Sequence, residues 1–285
     1  MPTTILVIGA TGKQGGAVIS SLLSSPGANL SLRFLTRNPD SPASLSLIAK
    51  GAQAIKGDLY DTASLDQAMQ GVDGAFLVTD MMVGEAEEVL SGKNFVDAAQ
   101  RAGVGHVVFT SVGAADTARS VPHFRSKYAV EVYLQASGMS YTILRPTAFM
   151  DNIPASPGIA RFLMVGIFFA MMKYKPTPFI AVEDIGIISA KALLSPDNQD
   201  YHNTTLTLVT AEYDLPGVRD AIHKAQGYDP WLASYTPQSL KYLLPGNMQA
   251  AFDYFDKHGY PPVDTALLKR IHPGMMTMEE YFRKV

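Results

Sequence analysis

Thr4-Ile5-Leu6-Val7-Ile8-Gly9-Ala10-Thr11-Gly12-Lys13-Gln14-Gly15-Gly16-Ala17-Val18-Ile19 reads as a short apolar strand, a glycine turn and the start of a helix. That order is the one a dinucleotide site requires. Gly9 would permit the tight turn, Gly12 would let the backbone approach a pyrophosphate, and Gly15 would let the helix pack closely on the sheet. Thr11, Lys13 and Gln14 lie in the same loop. A phosphate would sit on the free N–H groups of the helix N-terminus, where the macrodipole favours negative charge.

Outward from this stretch, apolar runs alternate with amphipathic ones. Strands are expected at Leu32–Thr36, Ala54–Gly57, Gly74–Thr79, His106–Ser111 and Tyr141–Arg145. Helices are expected at Pro42–Lys50, Ser64–Gln70, Gly84–Arg101 and Pro122–Ala136. Strands separated by helices argue for βαβ units, so the fold class is α/β, a Rossmann-type doubly wound parallel sheet. After Arg145 the alternation fades among Pro154, Pro157, Pro176 and Pro178. A helix opens at Val182 and a strand is expected at Thr205–Val209, after which helices are broken at Pro230, Pro237, Pro245 and Pro261. The expected division is a nucleotide-binding domain over 1–150 and a smaller, mostly helical substrate or partner lobe over 151–285. A segment near 180–210 would return to the core.

Composition restricts the alternatives. The chain has 285 residues, 47% of them hydrophobic and 17% charged, which is the balance of an ordinary globular protein. A net charge of −3 offers no broad basic field for nucleic acid. With no cysteine, disulfides, thiolate catalysis and cysteine-ligated zinc are excluded, and no metal site is expected. The longest apolar run, Phe162 to Met172, is too short to span a bilayer, which takes about 20 residues. It reads as a buried helix or as an apolar substrate wall. A cytoplasmic location is expected, with the nucleus as an alternative; a homodimer is compatible with the helix pattern.

Ligands bind at the carboxyl ends of such strands, and those ends supply the candidate residues. The second strand ends in Arg37, where an NAD enzyme would carry an acidic residue for the ribose hydroxyls. A planar cation there suits a 2′-phosphate, so NADP(H) is the expected cofactor, with Lys13 as a second positive charge. Asp58 and Leu59 follow the third strand and would meet the adenine, unless Asp58 caps the next helix. Thr79, Ser111 and Pro146 end later strands and would line the ribose and nicotinamide. Phe149, Met150, Phe162 and Phe168 are candidate substrate contacts.

None of the 13 tyrosines belongs to a Tyr-x-x-x-Lys pair, the proton donor and ribose anchor of short-chain dehydrogenases. His123-Phe124-Arg125-Ser126-Lys127 occupies that place instead. The i, i+4 spacing puts His123 and Lys127 on one helical face. Imidazole titrates near neutrality, which makes His123 the candidate proton donor. The plainer reading is a histidine with no proton role.

GATGKQG, Thr36-Arg37-Asn38-Pro39, Gly57-Asp58, Gly92-Lys93-Asn94-Phe95-Val96-Asp97-Ala98-Ala99, His123-Phe124-x-x-Lys127-x-x-x-Glu131 and the closing His272–Tyr281 together resemble the NmrA-like family of atypical short-chain dehydrogenases. The resemblance implies an NADP-binding Rossmann fold with a small C-terminal lobe. It does not imply one activity: some members reduce carbonyls, imines, enones or quinones, and others sense nicotinamide redox state and bind proteins. The expected function is therefore an NADPH-dependent reductase of an apolar small molecule. The alternative is a non-catalytic NADP(H) sensor acting on a protein partner.

Overall fold

The computed structural model describes residues 2–233, 242 and 244–285; Pro237 lies outside them. Its first half alternates strictly: β1 (Thr3–Val7), α1 (Lys13–Leu23), β2 (Leu30–Thr36), α2 (Pro42–Ala49), β3 (Gln53–Lys56), α3 (Thr62–Met69), β4 (Gly74–Val78), α4 (Glu85–Ala102), β5 (His106–Thr110), α5 (Pro122–Ala136) and β6 (Tyr141–Pro146). The second half comprises β7 (Ala148–Phe149), α6 (Ile159–Met171), β8 (Thr177–Ile180), α7 (Val182–Leu194), β9 (Thr204–Leu208), β10 (Ala211–Tyr213), α8 (Leu215–Gln226), α9 (Gly246–His258), α10 (Thr265–Ile271) and α11 (Met278–Lys284).

Seven strands form one sheet in the order β3-β2-β1-β4-β5-β6-β9, and each neighbouring pair is parallel. The order reverses between β1 and β4, so a crevice opens at their carboxyl ends, just where the glycine loop leaves β1. A parallel sheet must be covered on both faces. α1 and α7 cover one face, with Ile5, Val18, Ile19, Ile185 and Ile188 in its core. Leu6, Leu77, Phe95, Val96 and Val130 pack the other face beneath α3, α4 and α5. α1 and α7 approach closely because Gly186 lacks a side chain: a Cβ there would lie 2.6 Å from the Ala17 carbonyl oxygen.

Among the described residues, side-chain caps open five of the eleven α-helices. Ser41 accepts from the Ser44 N–H ahead of Pro42, Asp61 accepts from Ala63 and Ser64, and Asp214 and Asp264 cap α8 and α10 in the same way. Thr277 and Glu280 close α11 with a capping box. α1 has no such cap: Gly12 precedes it and no acidic residue stands in its first turn, a condition it shares with α5, α6 and α9.

The second lobe contains a small sheet, β10-β8-β7, that the proline-punctuated sequence concealed. Pro178 sits inside β8, opposite Glu212 in the antiparallel pair, where the missing N–H would ordinarily count against a strand. α6, α8 and α11 bury Val165, Phe169, Val218, Ile222 and Phe282 against this sheet. A separate seam joins the two lobes, formed by Phe124 of α5, Met172 and Phe255 of α9.

Candidate functional site

The crevice beyond β1, β2 and β3 holds a cavity of about 350 Å³ lined by Gly9, Thr11, Arg37, Asn38, Asp58 and Leu59 among others. Gly9 makes its turn at φ 68°, in the left-handed region that favours glycine. A Cβ on Gly15 would stand 2.4 Å from the Gly9 carbonyl oxygen, so the glycine fits the loop's own backbone rather than a helix-to-sheet contact. Arg37 is exposed, borders this cavity and makes no hydrogen bond or ion pair with the described residues. The Asp58 carboxylate accepts from the Tyr60 N–H at 2.9 Å, while Asp61 caps α3.

Two residues of the loop face elsewhere. Gln14 Oε1 accepts from Thr110 Oγ1 at 2.7 Å, tying the loop to the end of β5. Lys13 was expected beside a phosphate, but its ammonium donates to the Asp151 carbonyl at 2.8 Å and approaches Asn152 Oδ1 at 3.5 Å. Lys13 therefore straps the glycine loop to the turn after β7. That turn also holds α7, whose first N–H, on Val182, donates to Asp151 Oδ2 at 2.9 Å.

A second cavity, of about 200 Å³, lies between the lobes, with His123, Pro146, Phe168, Phe252 and Tyr260 in its wall. Of the four side chains expected as substrate contacts, Phe168 alone lines it. The other three lie outside its wall. Phe149 packs against the core of the main sheet, Met150 is wholly buried in the second lobe, and Phe162 stacks on Trp231 at 4.1 Å. Phe162 and Phe168 project from different sides of α6. No Asp, Glu, Lys or Arg is among the described residues of this wall.

Behind the two cavities lies a buried charge network. Lys127 donates to Glu88 Oε1 at 2.8 Å, to Thr79 Oγ1 at 3.0 Å and to the Thr79 carbonyl at 3.2 Å. Thr79 Oγ1 donates in turn to Glu88 Oε1 at 2.8 Å, and Ser126 Oγ donates to Glu88 Oε2. An ammonium has three N–H donors, and here all three have protein acceptors. Glu88 has no exposed surface. It was missed because Glu85, Glu87 and Glu88 together resemble an acidic first turn suited to the helix dipole. Its place on the stripe Glu88, Gly92, Phe95 and Ala99 was the signal that it faces inward.

His123 departs from its expected role. Burial holds the ring well below its ordinary value, at about 4, with Glu88 pulling the other way and Lys127 adding to the fall. The imidazole is therefore neutral at pH 7, not a charged donor, and its Nδ1 is buried without a partner. The Ser111 hydroxyl is likewise buried and unpartnered. His106, bracketed by Ser140 and Thr142, is also pushed by burial to about 4.

Both buried histidines predict acid sensitivity. Between pH 6.5 and 4 the unfolded chain takes up protons that the folded chain does not, so stability falls as pH falls across that window. Each contributes at most about 3 kcal/mol. Urea unfolding at pH 7.5 and 4.5 should show this loss, and His106→Asn should make it smaller.

These features fit an anionic dinucleotide. The α1 N-terminus is uncapped and free of acidic side chains, the loop has no room for a Cβ at Gly15, and a free guanidinium borders the cavity. Fold and site together define a Rossmann-type α/β protein with a second lobe over the strand ends. The NmrA-like family model matches residues 1–282, and the chain belongs to that family. It is 32% identical over 248 residues to the NAD(P)H azoreductase of Xenophilus azovorans, an alignment that covers 85% of this chain and 80% of that protein. Among solved structures, the triphenylmethane reductase of a Citrobacter species complexed with NADP(H) superposes with a TM-score of 0.76 at 19% identity, covering 99% of each chain. NmrA, a negative transcriptional regulator in complex with NADP, superposes with a TM-score of 0.77 at 20% identity, covering 100% of this chain and 95% of that one. Among the described residues no helix is long and apolar enough to cross a membrane, and no group of three or more His, Cys, Asp or Glu could hold a metal ion.

Proposed function

We propose that the chain binds NADP(H) and is an NADPH-dependent reductase of an uncharged, apolar small molecule carrying a carbonyl, imine, enone or quinone. The observation that carries this reading is the interlobe cavity: aromatic and methionine side chains form most of its wall, no charged side chain is among its described residues, and Pro146 and His123 bring it to the strand ends. Such a wall takes up flat apolar surface and disfavours an anion, which would find no cation there. The reductase names of two relatives support the reading as analogy.

In this proposal the α1 N-terminus holds the pyrophosphate, Arg37 the 2′-phosphate, and Asp58 and Leu59 the adenine side. The bound reduced nicotinamide supplies the hydride. Lys127 gains a ribose hydroxyl only by releasing one of its present acceptors, of which the Thr79 carbonyl at 3.2 Å is the most distant. The cavity excludes water from the acceptor through its apolar wall.

The test is deuteride transfer from stereospecifically labelled NADPH to a panel of neutral quinones, aromatic aldehydes and azo compounds. Label in a product supports the reductase. The alternative, a redox sensor acting on a protein partner, draws on the regulator NmrA. It requires unequal affinities for NADPH and NADP⁺, since equal affinities shift no equilibrium. Unequal affinities with no label transferred to any bound compound would favour the sensor.

A further inference from the structure

We infer that Tyr260, from the second lobe, is the group that donates a proton to the substrate in this cavity, in place of the tyrosine missing ahead of Lys127. The inference rests on the reductase reading above.

Among the described lining residues, four side chains carry a polar hydrogen: His123, Thr147, Asn152 and Tyr260. The Thr147 hydroxyl is committed to the Leu208 carbonyl at 3.0 Å. Asn152 lies under the Lys13 ammonium, and an amide is too weak an acid to protonate an alkoxide or amide anion. His123 is neutral at pH 7 for the reason already given. Tyr260 is left. Its phenol is the only one in the described wall, and no hydrogen bond to a described residue ties it down. The hydroxyl carries its proton at neutral pH, and burial, which pushes its ionisation above the ordinary range for tyrosine, makes it a weaker acid that gives the proton up only to a strong base such as the alkoxide formed by hydride addition.

The ring is held by the seam that joins the lobes. Tyr260 stacks on Phe255 at 3.9 Å and 12°, Phe255 meets Phe124 at 5.7 Å, and Phe124 meets the His123 ring at 4.6 Å. The donor is thus fixed to the strand-end helix α5 through aromatic contacts, although it comes from a remote part of the chain. Docking of the second lobe completes the site.

For a carbonyl acceptor the step balances as follows. A bound reduced nicotinamide would supply the hydride, whose electron pair would form the C–H bond at the carbonyl carbon, and would leave oxidised. The C=O π pair moves to oxygen, which takes the proton as the Tyr260 O–H bond breaks. The phenolate regains a proton from water.

Tyr260→Phe keeps the stack and the volume and deletes only the hydroxyl. Menadione, benzil and 4-nitrobenzaldehyde serve as probes, with Tyr254→Phe, a phenol on α9 outside the cavity wall, as control. In Tyr260→Phe, kcat should fall about 100-fold for the acceptors that wild type reduces, with little change in KM for NADPH. The solvent deuterium isotope effect on kcat should change with it. Calorimetric affinity for the same compounds without nucleotide should weaken about fivefold through the lost hydrogen bond. Tyr254→Phe should match wild type in each respect. Deuteride transfer by wild type with kcat and affinity of Tyr260→Phe within twofold would overturn the role of Tyr260 and leave the reductase reading standing. Transfer by wild type to none of the probes would overturn both.

Discussion

Replacing Arg37 with alanine is expected to weaken NADPH and NADP⁺ binding by about 10- to 100-fold while leaving NADH and NAD⁺ within about twofold. A charge-assisted hydrogen bond contributes about 1.5–3 kcal/mol, and each 1.4 kcal/mol is a factor of ten. The exposure of Arg37 argues for the lower part of that range, because water screens the pair. Its lack of any described partner argues the other way, since the guanidinium breaks no existing ion pair to meet a phosphate. Lys56 shares with Arg37 the adjoining depression over β3, so Arg37→Ala leaves some positive charge in place. Calorimetry with all four nucleotides reads the result. An equal loss for phosphorylated and unphosphorylated forms would show that Arg37 supports the loop and does not read the 2′-phosphate.

The strand-helix alternation of the first half was legible because its signals are local. A glycine turn and a strand end are each written within a few residues, and β1 through β6 follow the expected alternation to within a residue or two, although the aspartate that caps α3 is Asp61 and not Asp58. The interlobe cavity was not legible for the converse reason. Phe252, Phe255 and Tyr260 reach His123 only because α9 packs on α5, and nothing in the spacing of either helix announces that pairing. Phe162 misled because the apolar run on α6 is wide enough to meet the cavity, the lobe's core and Trp231 with different residues. Lys13 misled because a cation in a phosphate loop has one evident partner, whereas Asp151 and Asn152 come from far along the chain. Pro178 concealed β8, since a proline reads as punctuation until the partners of the strand are known.

Glu88→Ala is expected to cost about 3–5 kcal/mol of stability, the range found when one partner of a buried ion pair is removed. For a chain of this size that lowers the melting temperature by something on the order of 10 °C. The cost arises mostly from what remains. Lys127 would keep its two Thr79 contacts but would hold a positive charge 7% exposed with no counter-ion, and Ser126 would be left with only its longer bond to the His123 carbonyl, at 3.2 Å. Glu88→Gln should cost less than Glu88→Ala, since the amide oxygen still accepts from Lys127 and Thr79. The double variant Glu88→Gln/Lys127→Met should be more stable than Glu88→Ala, because both charges are then gone and an unbranched apolar chain fills the space of the lysine stem. Thermal melts of the three variants decide the matter. A Glu88→Ala protein that melts with wild type would mean that water enters the network, and Lys127 would then be free to turn toward the crevice without a partner to release.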